Sequence, residues 1–515
     1  MNHPEDSKSL ENQILLDASS KNSRRKKIYQ ISNRVVYYGA LVEKSMILFV
    51  FAAFYYQIGF YIDIFCNKSN YNCSVQSKKN VQSNMNSISY VVCMVAYLTY
   101  PLTVRFNNKV VYNISKAIFC VSILLFNFGG MWWMSFARVV MGFFSEYCQV
   151  TGHWILYQIA LPQHREAAIA MMMVTTSVYM VAYSFFSFLD DGGYWTWRVI
   201  NSGPALLLVL MILVDLTLLR NVNGLDYLLQ TKTQKEVVKQ LSTYYEEGTA
   251  VMMLRENYER QSHRHHQGLE SLNEGGEPFK QISLWNKVKA KRSHIVNCTI
   301  VAFCFMLCFS DAFITNYVFI GSHILDHKED VKASKMMVFY SSLGFLVTSI
   351  LLPILKLNKK RKVLLTSNMF ICSLCLVVSG LGYRFGKLWL VRTTFIPMAV
   401  ANGFIYNSYL LYLADICSMD VISIPLAFHR LIMALTQYLL PVFMNFEESP
   451  MSLISLRFFI LAAISVLSLV VVQFVMIETD GLSPVEINKL VEGEGKGNFD
   501  VELPSRSTQE FSEED

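Results

Sequence analysis

The chain has 515 residues, 53% of them hydrophobic and 16% charged, with a mean hydropathy of +0.32. Soluble globular chains carry about 45–50% apolar and about 25% charged residues, so this composition excludes an ordinary soluble domain and indicates a polytopic membrane protein. The net charge of +6 lies in short Lys and Arg blocks beside apolar runs, the positive-inside pattern rather than the basic groove of a nucleic-acid binder.

The N-terminus, through "NSRRKKIYQ", has no apolar core region after its charges, so it is read as a cytosolic tail and not a cleaved signal peptide. Twelve apolar runs follow, near residues 45–65, 87–104, 110–129, 133–159, 167–188, 197–219, 295–321, 335–355, 363–383, 388–413, 424–445 and 453–476. Each approaches the ~20 residues that a hydrocarbon core about 30 Å thick requires. The predicted fold is all-α, with twelve transmembrane helices in two six-helix halves. The predicted domains are a tail over 1–44, a half over 45–219, a central loop over 220–294, a second half over 295–476 and a tail over 477–515.

Cations set the orientation. Arg24 to Lys27, Arg105 and Lys109, Arg165, the Lys287–Arg292 cluster and Lys356 to Lys362 fall on one side, which is read as cytosolic together with both termini. The opposite side holds the loop "CNKSNYNCS", with glycosylation acceptors at Asn67 and Asn72 and a pairing opportunity for Cys66 and Cys73. Most other cysteines, such as Cys120, Cys304 and Cys372, lie in apolar runs, where Cys behaves as a small hydrophobe. The central loop reads as short amphipathic helices lying under the bundle. Its His263, His265 and His266 are taken as a polar linker, because no acidic or Cys partner stands at ligand spacing. The acidic, Ser-rich C-terminal tail reads as disordered. With no phosphate-binding GxxxxGK[ST] loop, and with Cys372 and Cys375 lying inside an apolar run, neither a metal nor another cofactor is expected.

One short polar stretch recurs. "VRFNNK" at 104–109 aligns with "LKLNKK" at 355–360, each after the second span of its half. A six-plus-six chain with a repeated cation-rich loop at that place resembles the major facilitator superfamily, whose two halves are parallel repeats around a midplane site. The family's loop usually begins with Asp and turns on Gly. Here Val104 and Leu355 replace the Asp, while Asn107 and Asn358 replace the Gly and are able to take a left-handed turn.

"IETDGLSPVEINKL" at 477–490 resembles the Pro-Glu-Thr-Lys-Gly-Leu-Ser-x-x-Glu-Ile signature of the sugar porter family, and Ser483 with Glu486 forms a capping box within it. "ARVVMG" (Arg138, Gly142), "YQIALPQHR" (Gln158, Arg165), "WRVINSGPALLL" and "YLADI" (Asp415) resemble further stretches of the same family. Other sugar-porter signatures are absent. The seventh span carries "FSDAFIT" where the family has its Gln-rich sugar-binding motif, and the tenth carries "NGFIYNSYLLY". The resemblance therefore implies the fold more firmly than it implies a hexose.

It implies transport of a sugar or related polyol by alternating access, without chemistry on the substrate. Candidate substrate-binding residues are Gln57, Ser310, Asp311, Thr315, Asn316, Asn402, Tyr406, Asn407 and Gln437, since each hydroxyl stripped of water must be re-paired inside the bundle. Asp311 is open to several readings: a substrate or proton site, an acid paired with a cation such as Arg392 or Arg430, or an acid near the outer mouth, in water.

The fourth span carries Arg138, Glu146, Gln149 and His153, the last three on one helix face, as an internal lock or a proton relay. Candidate cytosolic latch residues are Arg105, Lys109, Arg165, Lys356, Lys359, Lys360, Asp415 and Glu478. Proton symporters of the resembled family tend to carry an Asp where Gln57 stands. Gln cannot titrate, so facilitated diffusion is expected, with symport through Glu146 or Asp311 kept open. The rivals are a nutrient sensor or binding protein on the same scaffold and a transporter of another solute. The expected partners are a small-molecule substrate and membrane lipid, acting on a monomer in the plasma membrane rather than a vacuolar one.

Overall fold

The computed structural model describes residues 30–50, 75–103, 106–128, 131–189, 194–262, 291–308, 328–354, 360–417, 419–443 and 451–479, together with 288, 289, 482, 487, 490 and 491. The secondary structure of these residues is helical, with turns between. Twelve long helices appear: α1 (34–50), α2 (Val75–Thr103), α3 (Asn108–Phe128), α4 (Met131–Ile159), α5 (Arg165–Leu189) and α6 (Tyr194–Leu216) form the first half. The second half is α7 (Arg292–Cys308), α8 (Lys328–Ile354), α9 (Arg361–Arg384), α10 (Leu388–Ile416), α11 (Met419–Phe443) and α12 (Met451–Val475). Four stretches, Asn108–Asn127, Arg165–Phe185, Arg361–Arg384 and Ser455–Val475, are long and apolar enough by themselves to cross a membrane.

Packing repeats between the halves. In the first, α3 packs on α4 and α6, and α2 on α4; in the second, α9 packs on α10 and α12, and α8 on α10. Adding six to each helix number converts the first set into the second. The two most extensive contacts between halves, α2 with α11 and α5 with α8, exchange under the same operation. Small polar residues allow the close approaches: Ser177 and Ser184 of α5 meet Ser349 and Ser342 of α8 at 3.3 and 3.2 Å, and Ser373 of α9 meets Ser465 of α12 at 2.7 Å. Where lipid supplies no hydrophobic drive between helices, such small-residue packing and interhelical hydrogen bonding do the joining. Burial is accordingly inverted relative to a soluble protein. Phe474 is 84% exposed and Leu467 65%, while Lys116 is fully buried.

α1 begins at residue 34, where Asn33 Oδ1 accepts the Val36 N–H at 3.1 Å, well before the start expected at 45. Three short helices, Leu225–Thr231, Gln234–Leu241 and Glu247–Ser262, follow α6 and pack on the ends of α1 and α4. They build a second hydrophobic core around Tyr37, Ile159, Leu228, Leu241 and Tyr244. The segment before α1 is tied to them by Ser32 N to Tyr244 O (3.2 Å) and Gln30 N to Thr249 Oγ1 (2.8 Å). This end of the bundle also carries Lys109, Lys360 and Arg361 and is called the basic face below.

Candidate substrate site between the halves

The charges buried in the bundle meet across the interface of the halves. Arg430 of α11 forms an ion pair with Glu146 of α4 at 2.8 Å, and its NH2 donates to Gln149 Oε1 one helical turn further along α4 at 3.4 Å. Its NH1 donates to the Met433 sulfur at 3.3 Å, and its guanidinium lies 5.9 Å from the Tyr97 ring of α2. Cys93 and Tyr97 hydrogen-bond Glu146 and lie in the field of Arg430, with Tyr406 of α10 within electrostatic range of Tyr97. Arg138, also on α4, donates from Nε to Ser89 of α2 at 3.2 Å. At a rise of about 1.5 Å per residue, Glu146, Gln149, Cys93, Tyr406 and Arg430 all lie roughly 15–20 Å from the basic-face ends of their helices, half of a 30 Å bilayer core.

An aromatic wall continues the site into the second half. Phe305 of α7 stacks on Tyr409 at 4.5 Å, and His429 stacks on the other partner of that pair, Tyr409, at 5.8 Å; Tyr406 stands 6.0 Å from Phe305. Asn402 accepts from the Cys372 thiol, and Asn407 Nδ2 donates to Gly403 O at 2.7 Å. Asn402 Nδ2, Asn407 Oδ1, Tyr409 Oη and His429 Nδ1 are buried with no hydrogen-bond partner among the described residues. Buried polar atoms in that condition cost free energy unless a water or a ligand satisfies them.

Of the residues expected at the site, the structure thus brings together Glu146, Gln149 and Tyr406, with Arg138, Asn402 and Asn407 nearby. His153 is half-buried on the same helix. Gln57, Ser310, Asp311, Thr315 and Asn316 lie outside the described residues, as does the side chain of Gln437, and the same holds for Asn67, Asn72, Arg105, Lys356 and Lys359. Arg430, considered above as a partner for Asp311, pairs with Glu146. Among the described residues no cluster of His, Cys, Asp or Glu has metal-binding geometry.

At the basic face, Arg361 opens α9 and connects four elements. Its guanidinium pairs with Glu166 at the start of α5 (3.2 Å), with Asp415 at the end of α10, and donates to Thr479 Oγ1 beyond α12 (3.0 Å). Glu478 accepts the backbone N–H groups of Arg361 and Lys362 at 2.9 and 3.1 Å, closing the α9 N-terminus as an anion should. Asp415 and Glu478 were expected here, but Arg361 and Glu166 carry the contact between the halves. Lys360 is exposed and takes φ +70°, so in this loop a lysine holds a left-handed position. Asn107 does not: its Oδ1 accepts the Lys109 N–H at 3.0 Å, capping α3. Lys109 Nζ reaches the Leu219 carbonyl, and the Arg165 guanidinium covers the Tyr157 ring at 5.0 Å.

A second buried charge cluster lies in the first half and was not anticipated. Lys116 of α3 bridges Glu43 of α1 (2.8 Å) and Asp215 of α6 (2.7 Å); Lys44 bridges the same two acids at 2.5 and 2.8 Å. The Tyr112 ring receives both ammonium groups, at 4.1 Å from Lys116 and 4.3 Å from Lys44. Two cations and two anions, all nearly fully buried, cancel. Lys116 and Asp215 within apolar runs were the available signal; placing Glu43 and Lys44 before the first span concealed their partners.

The Major Facilitator Superfamily profile matches residues 45–441. Among solved structures, the chain is similar to the proton:xylose symporter XylE bound to 6-bromo-6-deoxy-D-glucose (TM-score 0.69, 12% identity, 89% of this chain and 99% of the other covered). It is also similar to a double tryptophan mutant of XylE (TM-score 0.71, 12% identity, 88% and 98% covered) and to the partially occluded inward-open XylE of E. coli (TM-score 0.66, 10% identity, 87% and 99% covered). No curated protein matches. With the profile spanning most of the chain and twelve helices repeating six by six, the protein belongs to the major facilitator superfamily and is an integral membrane transporter, not an enzyme.

Proposed function

We propose that this transporter moves a sugar or related polyol by alternating access, its two halves rocking around the midplane site. The observation that carries the reading is the placing of Glu146, Gln149, Tyr406 and Arg430 at one depth, beside the Phe305–Tyr409–His429 wall. Flat apolar faces suit a sugar ring, and buried amides and hydroxyls suit its hydroxyls. The structural similarity to XylE, described as a xylose symporter, supports the same class. The Arg361 cluster would act as the latch that holds the basic face closed.

Neutral solutes would pass by facilitated diffusion, as Gln57 suggests. The basic face and both termini would be cytosolic, in a monomer at the plasma membrane. The test is uptake of radiolabelled hexose, inositol and amino acid by vesicles of purified protein, with and without a pH gradient. Saturable hexose or inositol uptake is expected; retained sugar binding with no uptake of any probe would establish a sensor instead.

A further inference from the structure

The first turns of α1 extend past the apolar run that begins at residue 45, and the surface they expose is mixed in character. Arg34, Val35, Tyr38 and Val42 share one exposed face at spacings of three and four residues, with Val35 68% and Tyr38 48% exposed. The end of α6 lies beside this face. A Cβ on Gly39 would stand 3.3 Å from Leu218 Cδ2, so the missing side chain lets the two elements touch. Leu216 and Leu218 are also exposed there, and the next exposed residue along the chain is Arg220.

The short helices complete the patch. Gln240 Nε2 donates to the Asn221 carbonyl at 2.7 Å, and Gln240 Oε1 accepts from Lys232 Nζ at 2.7 Å, so one amide fixes Lys232 next to the turn that carries Arg220. Arg34, Arg220 and Lys232 are exposed, and among the described residues none of the three has an ion pair. The acids of the neighbouring elements are committed elsewhere: Glu43 and Asp215 to Lys44 and Lys116, and Glu236 to the Thr233 N–H at 3.1 Å. Apolar side chains exposed on a membrane protein face acyl chains, and cations directly beyond them stand in the headgroup layer.

We propose that this seam of α1, α6 and the short helices binds the headgroup of an anionic phospholipid, its phosphate among Arg34, Arg220 and Lys232 and its acyl chains along Val35, Tyr38, Leu216 and Leu218. A zwitterionic headgroup brings its own ammonium and gains less from the three cations. The lipid bridges the bundle and the connection between two short helices, so it fastens the second hydrophobic core to the membrane surface. The site is independent of the solute that the protein moves.

Native mass spectrometry of the full chain from detergent micelles, titrated with phosphatidylglycerol or with phosphatidylcholine of the same acyl chains, tests this. The wild type is expected to prefer phosphatidylglycerol by about fivefold or more, the worth of one cation at an anionic surface. Arg34→Gln/Arg220→Gln should lose about 25-fold in phosphatidylglycerol affinity, at about fivefold for each guanidinium, and bind phosphatidylcholine as before. Arg384→Gln/Lys387→Gln removes two exposed cations beyond the opposite end of α9 and should leave phosphatidylglycerol binding unchanged. Bound phosphatidylglycerol should also slow hydrogen exchange over residues 225–241 in the wild type and not in Arg34→Gln/Arg220→Gln. Melting without added lipid separates unfolding from loss of the site, and if that double variant melts lower, Lys232→Gln takes its place with a loss of about fivefold.

Equal affinity of the wild type for the two lipids, full affinity in Arg34→Gln/Arg220→Gln, or an equal loss in Arg384→Gln/Lys387→Gln would overturn the proposal. Glycerol phosphate protecting residues 225–241 as well as phosphatidylglycerol does, at equal concentration, would make this a site for a free phosphate and overturn the lipid.

Discussion

At the scale of single residues, the first half depends on a neutral quartet of charges. Asp215 serves two lysines, Lys44 and Lys116, that have Glu43 as their other acid. Replacing Asp215 with Asn leaves a buried positive excess, and breaking a buried pair by removing one partner costs about 3–5 kcal/mol. Asp215→Asn is therefore expected to lower the melting temperature of the purified protein markedly. Asp215→Asn with Lys116→Met restores neutrality and should recover most of the loss; a double variant no more stable than the single one would mean the quartet does not act as a unit.

His164 gives a second residue-scale expectation. The Tyr37 hydroxyl accepts the Leu161 N–H at 3.2 Å, which leaves its own proton for His164 Nδ1 at 3.1 Å. Burial pushes the Tyr37 phenol up to about 12, so it keeps that proton, and half-burial holds the His164 imidazole below its ordinary 6.5. A histidine with a lowered folded pKa binds fewer protons folded than unfolded. Its contribution is present above about 6.5 and is lost as pH falls towards the lowered value. Docking of the short helices on α1 and α4 should loosen on acidification through that window, read by hydrogen exchange at Tyr244 and Tyr245, and His164→Gln should remove the dependence.

At the scale of elements, helix contacts rest on residues without side-chain bulk. A Cβ on Gly403 of α10 would stand 2.6 Å from Thr348 Oγ1 and 2.9 Å from its Cβ on α8. That is closer than van der Waals contact allows, and the following turn of α10 carries Tyr406 and Asn407. Gly403→Ala is expected to cost about 1–3 kcal/mol by overpacking and to weaken substrate affinity by shifting Tyr406, with Thr348→Ala as the relieving second change. Normal affinity and melting in Gly403→Ala would show that α8 and α10 adjust freely. The α9 N-terminus is also set by sequence: Lys360 holds a left-handed turn and Glu478 caps the two N–H groups that follow.

At the scale of the whole molecule, Arg361 joins α5, α9, α10 and the segment after α12. Glu166 is the partner that belongs to the other half, and at 39% side-chain exposure this pair alone is worth little. Asp415 and Thr479 are more enclosed and hold the guanidinium in place. Arg361→Ala is expected to shift the population towards the state open at the basic face, raising the rate at which a Cys introduced near Glu146 is labelled from that side. Unchanged labelling would confine Arg361 to holding the second half together.

Hydropathy and cation placement made the twelve helices and the two halves legible, because a bilayer demands long apolar runs and the six-plus-six repeat duplicates its basic loop. Glu146, Gln149 and Tyr406 were legible for the same reason: a polar residue within an apolar run is costly unless it has work to do. Their partners were not. Arg430 is 284 positions from Glu146 and Asp215 is 99 from Lys116, and no spacing rule links residues on helices whose neighbours are set by packing across the bundle. Tertiary structure alone decided which charges neutralise one another, that Arg361 spans the basic face, and that the midplane pair joins the two halves. A charge in a low-dielectric interior is defined by what stands within a few ångströms of it, and that distance is a property of the fold.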